Sequence, residues 1–270
     1  LLGMVLPINT PIWILIFGAV FGIVIGKLVF GGFGYNIFNP ALVGYVFIVV
    51  AFYGVITANG GVLNANEIET VVSGATPLTD FKTTTDVAST IGAYGGLGNF
   101  FLGFIPGSIA ETSSALCLVS FVYLLIRKTI KWRIPVIYVG TVFILSYIIG
   151  AIQGYATDLT FATFSVLSGG LMFGAVFMAT EPVTSPRTPN GEIVFALFLG
   201  ALTVMLRNIS DMPEGVATSI LFMNLFTPTI DNIFAKVRVR DKVSKMVTSY
   251  AIVGLFIIAI FGFTLIQLGV

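Results

Sequence analysis

The sequence predicts an all-α polytopic membrane protein, with about eight helical spans forming a single integral membrane domain over residues 1–270. Composition carries most of that reading. Of the 270 residues 57% are hydrophobic and 9% charged, where soluble domains carry roughly a quarter charged; the mean hydropathy is +1.03. The 25 Phe and 30 Gly suit lipid-facing surface combined with close helix contacts. Other classes are excluded on the same grounds. One cysteine, Cys117, and no histidine leave nothing for a disulfide scaffold, an Fe–S cluster or a structural zinc site built by this chain alone. A net charge of +1 implies no nucleic-acid partner.

The chain opens Leu1-Leu2-Gly3, without an initiator Met, and residues 1–6 read as the tail of a helix, so the sequence is taken as N-terminally incomplete. Charge-free runs then mark the spans: 11–30, 41–57, 112–126, 134–152, 161–179, 193–206, 215–230 and 248–268. Several are short, with Gly-Gly, Asn-Pro or Glu-Pro at their ends, as expected of broken or re-entrant helices. The uncharged, Gly-rich stretch 91–108 reads as re-entrant or surface-lying, since a full crossing would carry the next basic turn to the other side. Two basic turns, Arg127 to Arg133 and Lys236 to Lys245, belong in the cytoplasm by the positive-inside rule. Residues 58–90, with Glu67, Glu69, Asp80 and Asp86 against Lys82, then form an extracytoplasmic loop.

That loop holds Ser73-Gly74-Ala75-Thr76-Pro77-Leu78. Gly74 permits a bend, Ala75 leaves the next hydroxyl unobstructed, and Pro77 restricts Thr76 to extended geometry. A hydroxyl so displayed can accept a phosphoryl-linked group; the same residues also make an ordinary turn. Glu111 and Thr112 follow Pro106-Gly107-Ser108 and open an apolar run, where an acid and hydroxyls satisfy free N–H groups. Asn36, Asn39 and Pro40 follow a Gly-rich break, a setting in which amides and unwound carbonyls hold a flavin edge, a cation or only their own backbone. Glu181 stands between an apolar run and Pro182, and Glu214 and Asp231 at opposite ends of 215–230. These three acids are candidates for an ion path, against the plain alternative of solvated helix ends. Cys117 reads as a small core residue.

The chain resembles the RnfD and NqrB family, the flavin-carrying membrane subunits of the Rnf complex and of the sodium-pumping NADH:quinone reductase. The likeness runs through Gly31-Gly32-Phe33-Gly34-Tyr35-Asn36-Ile37-Phe38-Asn39-Pro40, the Ser73–Thr76 motif, Leu102 to Ser113, Phe177 to Pro186, Met212-Pro213-Glu214-Gly215-Val216, and Met223-Asn224 with Pro228 and Asp231. Glu181, Ala110 and Met212 stand where Asp, Gly and Tyr are expected.

The resemblance implies about ten spans in a full chain. It also implies FMN joined to Thr76 by a phosphodiester set by a periplasmic flavin transferase, with Ser73, Gly74 and Ala75 as its motif. The Glu111–Thr112 turn would lie near that FMN, and a riboflavin would be held non-covalently. The implied partners are the other Rnf subunits, including a second covalently flavinylated subunit and Fe–S-bearing membrane subunits. Function would be that of a translocase subunit in the inner membrane, coupling electron flow between ferredoxin and NAD+ to Na+ or H+ transport. No NAD or ferredoxin site is identified in this chain. The length favours the Rnf subunit over its quinone-reductase relative. A non-redox channel or secondary transporter is the rival from another class, since Gly-rich broken helices occur there too.

Overall fold

Glycine and proline cut the apolar runs into helices of unequal length. The computed structural model describes residues 1–7, 9–58, 62–63, 73–74, 76–108, 110–155, 159–209, 215–235 and 243–269. A short α1 (Leu2–Val5) precedes α2 (Ile12–Ile23), which ends in a π-helical turn over Val24–Leu28; α3 (Pro40–Ala58) follows with its proline at the first helical position. Helices α2 and α3 touch backbone to backbone. A Cβ on Gly44 would lie 2.5 Å from the Gly18 carbonyl, and one on Gly22 would strike the Pro40 carbonyl. Only glycine permits that approach.

A two-residue antiparallel pair, β1 (Val62–Leu63) with β2 (Ser73–Gly74), sets Leu63 opposite Ser73 and Val62 opposite Gly74. Three short helices follow: α4 (Pro77–Thr84), α5 (Val87–Ala93) and α6 (Leu97–Leu102). Tyr94 ties them together by donating its hydroxyl to the Asp80 carboxylate on α4. Burial, and the Asp80 charge and hydrogen bond, raise the Tyr94 phenol above its usual pKa. Neither α5 nor α6 is long enough to cross a membrane.

The core is built on α11 (Pro189–Ile209), which packs against α8 (Arg133–Gln153), α12 (Gly215–Ala235) and α13 (Val243–Gln267). Phe195, Ala196 and Leu199 of α11 are fully buried, and Tyr138 and Thr203 share a buried 2.6 Å hydrogen bond between α8 and α11. Helix α7 (Ser114–Ile126) lies before the basic turn. Between α8 and α11 run α9 (Thr160–Leu167) and α10 (Leu171–Phe173), the latter continued by a second π-helical turn over Gly174–Met178. Their axes bend by 64° at Ser168-Gly169-Gly170, where Gly169 takes φ +66°.

By length and composition, three helices can cross a membrane: Arg133–Gln153, Pro189–Ile209 and Val247–Gln267. The bent pair Thr160–Leu167 with Leu171–Met178 makes a fourth if it is one span. The expectation of about eight spans is therefore corrected to three or four full-length ones among the described residues. Each of the eight apolar runs does hold a helix. However, Ile12–Leu28, Pro40–Ile56 and Ser114–Ile126 are cut short, and α12 carries Pro228, Asn224 and Asp231. A helix of 21 residues such as α11 is about 30 Å long, so the features at its two ends are well separated.

Candidate functional site

Thr76 is the N-cap of α4. Its backbone is extended (φ −69°, ψ 150°), as a residue before proline should be, and Pro77 occupies the first helical position. The hydroxyl is engaged: Oγ1 accepts from the Thr79 amide at 3.4 Å and shares a 2.9 Å hydrogen bond with Thr79 Oγ1. Thr76 is half-buried, so its Oγ1 stands at the start of a helix whose next turn already points N–H groups toward it. Ser73 and Gly74 hold the preceding strand against β1, and Ala75 lies outside the described residues.

Beside α4 opens a cavity of about 310 Å³. Leu78, Phe81, Lys82 and Thr85, one face of α4 and its C-cap, form one wall. Opposite stand Tyr155, Phe161, Phe164 and Ser165, with Ser146, Arg207 and Asn208 from the long helices. Phe81 meets Tyr155 and Phe161 at 5.5 Å and Phe164 at 5.7 Å, so the wall is a single aromatic cluster. Arg207 is 6% exposed and donates to the Ser165 carbonyl at 2.6 Å and the Ser168 carbonyl at 3.1 Å. It therefore puts a cation on the C-terminal carbonyls of α9, where the helix dipole is negative.

Glu111 serves the other side of the same break. It is buried, it accepts from the Ser108 hydroxyl, and its carboxylate occupies the space a Cβ on Gly170 would need. The expected capping of the following helix is corrected: α7 begins at Ser114, and Ser113 is the cap, accepting from the Leu116 amide at 3.3 Å. Glu111 lies too early to reach that helix. Thr112 is half-buried and packs its methyl toward Gly107.

A second cluster forms where the second π-helical turn ends. Asn39 is 2% exposed; its Oδ1 accepts from the Ala41 amide at 3.0 Å and its Nδ2 donates to the Met178 carbonyl at 3.4 Å. Its own backbone N–H reaches the side-chain oxygen of Asn224 on α12 at 3.1 Å. Asn36 Nδ2 donates to the Phe38 carbonyl at 3.1 Å and to Glu181 Oε1 at 3.4 Å, and Thr184 donates to Glu181 Oε2 at 2.8 Å. Burial pushes the Glu181 carboxyl above the usual carboxylate range, opposed by the Thr184 and Asn36 hydrogen bonds and by the charge of Lys27. Asn39 thus belongs with the end of the second π-helical turn that precedes Glu181, and none of its hydrogen bonds reaches α4.

Asp231 acts on neighbouring backbone. It accepts from the Arg187 amide at 3.0 Å, from the Thr188 amide at 3.2 Å and from Thr188 Oγ1 at 3.1 Å, just ahead of α11. Nearby, Glu192 is 1% exposed and pairs with Lys131 and, at 2.9 Å, with Arg133. Glu214 lies outside the described residues. Sequence reading passed over Arg207 and Glu192. Their signal was a pair of charges bounding the apolar run of one helix, α11, Glu192 in its first turn and Arg207 in its last, which a bilayer tolerates only when something pairs with each.

Buried charges, two π-helical turns and a bent half-helix pair define an integral membrane protein of the broken-helix kind. The model of the NQR2, RnfD, RnfE family matches residues 1–240, and the chain belongs to that family. It is 42% identical over 234 residues to the D component of the proton-translocating ferredoxin:NAD(+) oxidoreductase complex of Clostridium ljungdahlii, covering 86% of this chain and 70% of that one. It is 37% identical over 241 residues to the D component of the Na(+)-translocating ferredoxin:NAD(+) oxidoreductase complex of Acetobacterium woodii, covering 88% and 70%. To the B component of the Na(+)-translocating NADH-quinone reductase of Chromohalobacter salexigens it is 35% identical over 250 residues, covering 91% of this chain and 59% of the relative.

Proposed function

We propose that this chain is a membrane subunit of a redox-driven ion pump, coupling electron transfer between ferredoxin and NAD+ to movement of Na+ or H+. The observation that carries the reading is the likeness, at 42% and 37% identity, to the D components of two ferredoxin:NAD(+) oxidoreductase complexes. In this reading FMN is esterified to Thr76 Oγ1. Local geometry supports it: the hydroxyl caps α4, so a phosphodiester there would sit on the positive end of a helix. Bound flavin supplies the one- and two-electron chemistry, while the protein supplies position and electrostatics. A riboflavin is held non-covalently, and a flavin transferase acts on the Ser73–Thr76 motif.

The Thr76 end of the bundle faces the outside of the plasma membrane, and the turns 127–133 and 234–246 face the cytoplasm. Exposed Arg127 and Lys128, close to Lys131 and Arg133, support that orientation. Partners are the remaining subunits of such a complex, including a second flavinylated subunit and Fe–S-bearing membrane subunits. Glu181 carries the ion path, with Asp231 and Glu214 as lesser contributors. It is a half-buried acid between two helix breaks, held by Asn36 and Thr184.

The full chain co-expressed with a flavin transferase should give a fluorescent band in a denaturing gel, and Thr76→Ala should give a dark one. A flavin adduct on the Ala variant, read by intact mass, would overturn the attachment site. A second reading, membership of a Na+-pumping NADH:quinone reductase, draws on the 35% identity to the B component of such an enzyme. Quinone-dependent NADH oxidation in membranes would select it.

A further inference from the structure

We infer that the cavity beside α4 is the seat of an isoalloxazine ring, with Arg207 and Lys82 as the cations that hold it. The inference rests on the reading of Thr76 as a flavin attachment point and adds where the ring goes. Position comes first. One face of α4, beginning at Leu78, lines the cavity, and Thr76 caps the same helix two residues earlier. A group tethered at Thr76 can fold back along that face.

Size and chemistry agree. A volume of about 310 Å³ lies at the lower end of pockets that enclose small ligands. The lining combines the two kinds of surface that an isoalloxazine presents. Phe81, Tyr155, Phe161 and Phe164 supply apolar and aromatic surface for a fused planar ring system. Arg207 and Lys82 supply positive charge, with Asn208 as a further donor, for a pyrimidine edge that carries carbonyl oxygens and gains negative charge on reduction. Arg207 is fixed by two carbonyls of α9, so its charge is set in place before any ligand arrives. Ser146 of α8, Val204 of α11 and Leu268 after α13 complete the lining.

The ring can come from two sources: FMN tethered at Thr76, or free riboflavin. Both are tested on the full chain purified in detergent after co-expression with a flavin transferase. Pockets of this kind cover 70–90% of a ligand, so a seated ring should be about threefold or more less open to iodide quenching than the same flavin in the unfolded chain. Arg207→Gln and Lys82→Glu should keep the same covalent flavin per protein in a denaturing gel. They should also lose most of the iodide protection and shift the flavin midpoint potential downward, because the reduced, more negative ring loses a cation. Lys82→Glu carries the test alone if loss of Arg207 unfolds α9.

Thr76→Ala separates the sources. If the purified Ala variant still carries a non-covalent flavin whose retention falls with Lys82→Glu, riboflavin occupies the cavity; if it carries none, or one whose retention is indifferent to Lys82→Glu, the tethered ring does. Normal covalent flavin with unchanged iodide protection and potential in both charge variants would overturn the cavity assignment while leaving Thr76 intact. A flavin adduct surviving Thr76→Ala would instead overturn the attachment.

Discussion

At Thr76 one hydroxyl caps α4 and, in the proposed function, also accepts FMN. As an N-cap it stabilises α4, and its loss should cost about 1 kcal/mol locally. Thr76→Ser keeps both cap and acceptor, so the Ser variant should retain stability and flavin together, whereas Thr76→Ala loses both. Thermal unfolding beside in-gel fluorescence tells them apart. The extended backbone of Thr76 was legible because Pro77 dictates it; the capping bond to Thr79 was passed over, although Thr before Pro with Asp80 in the first turn is a helix-start pattern. Glu181 makes a pH prediction. Burial raises its carboxyl above 4.5, so between 4.5 and the raised value the folded chain binds more protons than the unfolded one. Stability from this group is complete below that window and is lost as pH rises through it. Glu181→Gln should flatten that part of the profile of unfolding temperature against pH. In the assembled complex it should also weaken the Na+ or pH response of electron transfer, and Glu181→Asp should restore it. An unchanged ion response in the Gln variant would return Glu181 to a structural acid.

Helix pairs depend on contacts that no hydropathy count reports. Between α2 and α3 the critical fact is the absence of side chains: a Cβ on Gly44 meets the Gly18 carbonyl, which is backbone and cannot rotate away. Gly44→Ala should destabilise the pair by about 1–3 kcal/mol, seen as a lower unfolding temperature in detergent with unchanged flavin content. Asp231→Ala removes the acceptor for the Arg187 and Thr188 amides ahead of α11, and should cost about 0.5–2 kcal/mol in the same assay. Each of the eight apolar runs held a helix because hydrophobicity is a local property, whereas the short α4 lay outside them. Where they were interrupted was harder to read. The bend at Ser168-Gly169-Gly170 is marked by its glycines, but the charges that complete it, Glu111 and Arg207, come from segments distant in sequence.

For the molecule as a whole, charge asymmetry is the basis of the proposed orientation. Thr83 lies exposed on α4, near the Thr76 end, and Thr129 lies exposed in the basic turn before α8. The native Cys117 is buried, so cysteine placed at either position should dominate labelling. A membrane-impermeant maleimide added to intact cells should modify Thr83→Cys and spare Thr129→Cys. The opposite pattern would put Thr76 out of reach of a periplasmic transferase. Composition made the membrane class plain, because an aqueous surface cannot be built from 9% charged residues. The number of full crossings was not plain: length decides a span, and length depends on breaks fixed by tertiary contacts.

The bent pair α9–α10 also has a consequence for biogenesis. One of its inner ends is completed by Glu111, made earlier, and the other by Arg207, made later. A nascent chain that has emerged only as far as Met178 therefore holds the anion without the cation, and leaves the α9 carbonyls without their guanidinium in a medium that offers no water. The two half-helices must wait, in the translocon or at the membrane surface, until α11 arrives and carries Arg207 beside them. Assembly around this bend is thus ordered by synthesis: α11, made later, sets the final position of half-helices translated before it.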